Sequence, residues 1–209
     1  AQAALEALAV LVGRASDAVR ADVLRRNAGG DPLDESAVPD GAALARAGAV
    51  RANGAWLLPP ALRERLRATM DDKRRRALHR HASESLAEHD PAAAARHALG
   101  AGHLERATEL ALAGADALLG GHASVDAADL LLEVVEAHEA PPPALRARLV
   151  ELLWIAGAHA AAISHARVLA DADPDDAAAA LRLGRLLTHA GRYDEASSHL
   201  ERARAVAGG

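Results

Sequence analysis

The side chains able to do chemistry are unevenly spread along these 209 residues. Eight cations crowd the segment from Ala61 to His81: Arg63, Arg65, Arg67, Lys73, Arg74, Arg75, Arg76 and Arg80. Glu64, Asp71 and Asp72 are the only acids there, so the segment carries +5 while the whole chain carries −5. Such a patch can bind phosphates, because each Lys or Arg contact releases counterions. The reading that ranks ahead of it is a solvated helix face or a contact for an acidic neighbouring domain. All eleven His follow Leu78. His79 and His81 lie two apart and His159 and His165 six apart, spacings that do not turn two rings to one ion on a helix. No His-Glu-x-x-His occurs, and no metal site is expected. The chain has no Cys, which excludes disulfides, thiolate zinc sites and Cys nucleophiles. Its serines lack the nucleophile-elbow context. Gly29-Gly30 is followed by Asp31 with no phosphate-binding Lys, so there is no phosphate loop. The expectation is a non-enzyme without catalytic, cofactor-binding or metal-ligating residues.

The elements that position these groups follow from composition. The chain holds 57 Ala and 31 Leu but only 17 Val, Ile and Thr in total. Ala and Leu are strong helix formers and β-branched residues favour strands. There is no Phe, one Tyr and two Trp, so the core must be aliphatic. No 18-residue uncharged apolar run exists, so no membrane span is expected. Ala1-Gln2-Ala3 lacks an initiator Met and a basic leader, and the expectation is a piece of a longer, cytoplasmic chain.

Three helices are expected first, at 2–12, 17–26 and about 40–47. Residues 49–52 and 55–58 then read as two short strands around Asn53-Gly54, which suits the positive φ angles of a type I′ turn. Three helices and a hairpin are the outline of a winged helix. Pro59-Pro60 opens a helix through about Thr69. From Asp71 onward all is helical, with helices at about 72–88, 91–100, 103–119, 125–139, 143–156, 159–171, 175–190 and 193–207. Short loops between them imply antiparallel neighbours.

The form A-G-x-x-x-x-A recurs at Ala101–Ala107, Ala156–Ala162 and Ala190–Ala196. The last two lie 34 residues apart, with Leu149 matching Leu183 and Leu153 matching Leu187. The 55 residues from Gly102 to Gly157 are out of step. The period resembles the tetratricopeptide repeat, a helix–turn–helix. Leu183-Gly184, Leu187, Gly191, Tyr193, Ala196, Leu200 and Ala203 stand at that family's positions, and residues 143–174 match more loosely. Each pair leaves an apolar face that the next pair covers, giving a superhelical stack.

The whole order resembles the region after the nucleotide-binding domain in STAND-type signal-transduction ATPases, including large ATP-binding LuxR-family transcriptional regulators. The resemblance rests on Leu57–Leu66, Lys73–His79 and Ala98–Ala107. The aromatic and His usual in the wing-to-helix segment are absent here. The resemblance implies an ATP switch and an output domain outside this segment, with partner or ligand binding biasing the switch.

The expected fold is therefore all-α: a winged-helix-like unit with one hairpin at 1–70, then a tetratricopeptide-like repeat superhelix at 71–209. If the repeat register holds, the first helix of each pair lines a concave groove. Glu151, Trp154 and Ile155 project there from one repeat, and Arg185, Thr188 and His189 from the next. A Trp beside an Ile is a plausible anchor for a partner; the same Trp can instead pack on the neighbouring pair. The function expected is a regulatory interaction module, its partner being a protein, another domain of the parent chain or a small ligand in the groove. The rivals are nucleic-acid binding through the winged helix and the Arg63–Arg80 patch, and a standalone repeat scaffold.

Overall fold

The structure is a computed structural model and describes residues 50–52, 55–57 and 59–208. The three helices expected before residue 49 lie outside the described residues, as does the winged-helix outline that depends on them. The chain divides into two compact units, Ala1–Gly114 and Ala115–Gly209.

In the first unit β1 (Val50–Ala52) runs antiparallel to β2 (Ala55–Leu57), with Val50 opposite Leu57 and Arg51 opposite Trp56. Among the described residues, four helices begin in this unit: α1 (Pro60–Thr69), α2 (Asp72–Leu86), α3 (Pro91–Ala101) and α4 (Leu104–Gly120), whose last residues belong to the second unit. Their starts have local causes. Asp71 accepts a hydrogen bond from the Arg74 N–H at 2.9 Å, and Asp90 accepts one from the Ala93 N–H at 2.9 Å. Pro stands in the first turn of α1 and α3, where a missing N–H costs nothing. Helices α2 and α3 pack on Leu78, Ala82, Leu86, Ala94, Ala95 and Ala98, all buried. At Gly114 a Cβ would fall 2.7 Å from the Ala92 backbone, so α4 crosses α3 with no room for a side chain.

The second unit continues with α5 (Ser124–Ala137), α6 (Pro143–Ile155), α7 (His159–Ala172), α8 (Ala177–His189) and α9 (Tyr193–Ala207). Every described helix lies within two residues of its expected bounds. The core is Leu130, Leu131, Leu145, Leu149, Leu152, Leu183 and Leu187, interleaved with buried Ala162, Ala166, Ala170, Ala180, Ala196 and Ala203. Those small residues let the helices approach closely, as aliphatic side chains without aromatics require. Gly184 marks the tightest contact: a Cβ there would meet Leu200 side-chain carbons of α9 at 2.7 Å.

The turns carry the repeat. After α3, α6 and α8, Gly102, Gly157 and Gly191 take left-handed φ values of 80°, 80° and 74°. His122, after α4, takes the same conformation with φ 60°. All four turns share one bonding scheme. His122 N–H donates to the Leu119 carbonyl and Ala123 N–H to that of Leu118; Gly157 and Ala158 do the same to Trp154 and Leu153. Gly191 and Arg192 do so to Thr188 and Leu187. This is the Schellman closure, which satisfies the last carbonyls of a helix. His122 stands 35 residues before Gly157, and Gly157 stands 34 before Gly191. The repeat thus extends back to the α4–α5 pair, one pair earlier than the strict 34-residue match shows, because His occupies the position where Gly carries the signal. Gly102 closes a turn between pairs, not within one, which is why its offset of 55 is out of step.

Candidate functional site

Three successive first helices, α4, α6 and α8, carry a chain of ion pairs. Arg148 of α6 donates to Asp116 of α4 at 2.6 Å and to Glu151 on its own helix at 2.9 Å. Arg182 of α8 approaches Glu151 at 3.8 Å. The Glu151 and Asp116 carboxylates, hydrogen-bonded to the Arg148 guanidinium, raise its pKa. The arrangement is periodic. Asp116 and Glu151 each stand six residues before the left-handed turn residue of their repeat, and Arg148 and Arg182 each stand nine before theirs. Each acid meets the Arg of the next repeat. The third residue of the acid series is Arg185, exposed and unpaired among the described residues.

Trp154 sits at the turn end of α6. It is half-buried, and its ring stacks on His159, the first residue of α7, with centroids 4.1 Å apart. It also meets His189, the last residue of α8, with centroids 5.7 Å apart. The ring thus contacts the neighbouring pair and keeps accessible surface. Ile155 beside it is 56% exposed and Tyr193, opening α9, is 66% exposed. Thr188 is exposed, its hydroxyl donating to the Gly184 carbonyl at 2.8 Å.

The second helices α7 and α9 are tied separately. Arg167 pairs with Glu195 at 2.8 Å, and Arg202 donates to the Ala170 carbonyl at 3.0 Å in the last turn of α7. Asp116, Arg148, Arg182 and His159 are absent from the sequence reading of the groove. For the three charged residues the signal is the constant spacing from the turn, and for Asp116 it shows only once His122 is known to be left-handed.

In the first unit the cationic segment does not form one surface. Lys73, Arg76 and Arg80 line a cleft of about 700 Å³ together with Asp72, Ala77, Ala101, Gly102 and His103. Arg75 is instead held by Asp72 at 2.7 Å. Arg65, on α1, is exposed, Arg67 and Arg74 are half-buried, and the Arg63 side chain lies outside the described residues. His79 meets His97, which is buried, with Nδ1 to Nδ1 at 3.0 Å. Burial, aided by Arg67 and Arg75, lowers the His79 pKa to about 4, and burial, aided by His79 and Arg67, lowers that of His97 to about 4. Spacing of two along α2 is not the relation that matters; the partner of His79 is 18 residues away on α3. Among the described residues no group of three or more His, Asp or Glu is placed to hold a metal ion, and no helix is long and apolar enough to cross a membrane.

The comparisons with known proteins bear on the repeats. Residues 153–209 match the tetratricopeptide repeat family. No curated protein matches the sequence significantly. Among solved structures, MamA AMB-1 is 18% identical over 71% of this chain and 83% of that chain, with a TM-score of 0.45. YrrB, described as a TPR protein with an unusual peptide-binding site, is 19% identical over 70% of this chain and 83% of that chain, with a TM-score of 0.43. The resemblance to STAND-type ATPases and LuxR-family regulators draws no support from these matches.

Proposed function

We propose that the chain is a non-catalytic protein-interaction scaffold whose C-terminal repeats hold an extended peptide along α6 and α8. The observation that carries this reading is the half-buried Trp154 ring, in contact with His159 and His189 and with exposed Ile155 beside it in sequence. The match to a repeat family whose members in general bind proteins or peptides supports it. Aromatic anchors set against apolar neighbours dominate interface energetics. Arg185, at the end of the ion-pair series, supplies a cation without an acid. The peptide that fits presents an apolar side chain to Trp154 and Ile155 and a carboxylate to Arg185, with Glu151, Thr188 and His189 along its path.

The finer reading, a sensor arm coupled to a nucleotide switch in a larger regulator, rests on the order of winged-helix-like segment, basic stretch and repeats. A standalone scaffold would use the same groove, and the repeat match supports it at least as well. Peptides selected against the chain from a random display library test the groove. Binding in the micromolar range, weakened at least tenfold by Trp154→Ala and by Arg185→Gln with the fold intact, is the expected result. Selected peptides that bind Trp154→Ala unchanged place the interaction elsewhere and refute the groove.

A further inference from the structure

The cleft between α2 and the α3–α4 corner has a chemistry that the repeats do not explain. Lys73, Arg76 and Arg80 follow one another at intervals of three and four, so they share one stripe of α2. At 1.5 Å per residue the row spans about 10 Å. All three are exposed, and no carboxylate pairs with them among the described residues. Asp72 also lines the cleft, but Arg75 holds its carboxylate at 2.7 Å. The α3–α4 corner adds a wall of Ala101, Gly102 and His103 to the lining. Gly102 is left-handed and a Cβ there would touch nothing, so this wall leaves the row of cations open to a ligand. The volume of about 700 Å³ is that of a small-molecule site.

We propose that this cleft binds a small ligand carrying two or more phosphate groups. Three cations in a row set against one neutralised acid call for an extended polyanion, and two of the three are guanidiniums, whose planar fork suits phosphate oxygens. A nucleic-acid duplex fits less well. It needs cations strung along a wide surface, whereas this segment confines three to a recess and commits Arg75 to Asp72. The proposal stands apart from the peptide groove, since it uses other helices and other residues.

The test is calorimetric titration of the full chain with inorganic tripolyphosphate at low salt. Saturable one-to-one binding is expected, much tighter than that of orthophosphate and weakening as salt is added. Arg76→Gln with Arg80→Gln should weaken it at least tenfold, while Arg65→Gln, which alters the same basic segment outside the cleft, leaves it unchanged. Circular dichroism melts confirm that each variant folds. Absence of saturable binding overturns the proposal, as does equal affinity for orthophosphate. Equal weakening by Arg65→Gln shows diffuse attraction and also overturns it. So does a DNA duplex that binds through Arg76 and Arg80 and is not displaced by tripolyphosphate, which would return the patch to nucleic acid.

Discussion

Acidification should loosen the first unit through the His79–His97 pair. The two Nδ1 atoms are 3.0 Å apart, so one ring must donate and the other accept, and both are neutral. A proton on the accepting nitrogen removes that bond and places a cation beside Arg67 and Arg75, in a site packed against Gly100, where even a Cβ would fall 2.6 Å from the His79 ring. Each imidazole pKa drops from 6.5 unfolded to about 4 folded. The unfolded chain therefore binds more protons between these values. The stabilisation is fully present above 6.5, falls as the pH drops, and levels off below about 4. Between about pH 7.5 and about pH 5 the loss is about 2 kcal/mol for one imidazole and at most about twice that for the pair. Urea unfolding at the two pH values, read by amide exchange in α2 and α3, measures it. Histidines and carboxylates elsewhere titrate too, so the informative quantity is the difference between the native chain and His79→Gln with His97→Gln. The variant should lose much less stability on acidification. Equal losses in both chains, or imidazole nitrogen shifts titrating near 6.5, would refute the reasoning.

Other substitutions test the repeat geometry. Gly184→Ala adds a Cβ 2.7 Å from Leu200, so it should destabilise the second unit by about 1–2 kcal/mol despite better helix propensity, and Leu200→Ala in the same chain should relieve the clash in chemical denaturation. His122→Gly should stabilise by about 1 kcal/mol, because it removes a side chain from a left-handed position; Gly157→Ala should cost about as much. A thermal melt of each pair member checks the sign. Glu151→Gln breaks two exposed ion pairs, and urea melts should show a loss of less than about 1 kcal/mol, shrinking further in high salt.

Much of the helical layout was legible because its signals are local. Asp71 and Asp90 cap, Pro59-Pro60 and Pro142-Pro143 open, and Gly102, Gly157 and Gly191 close, each acting within a turn of its own position. Leu183-Gly184 was legible as a repeat pair, and the structure adds its cause, the close approach of Leu200. His122 was not legible, because nothing local separates a left-handed His from an ordinary one. With it the earlier repeat pair stayed hidden, and so did the place of Asp116 six residues before its turn, the same offset that Glu151 has from Gly157. The cations of the basic segment were readable as charge, but not as a cleft.

Local sequence alone determined that this chain is helical after Pro60, where its helices start and stop, and that small residues bring them close. Those choices depend on backbone conformation and capping, which neighbouring residues control. Only tertiary structure decided which side chains meet, His79 with His97 and Trp154 with His159 and His189, and which three cations share a cleft with the α3–α4 corner. Each of these contacts joins separate helices, and the distance between two helices is set by the packing of every residue between them, not by the residues that touch.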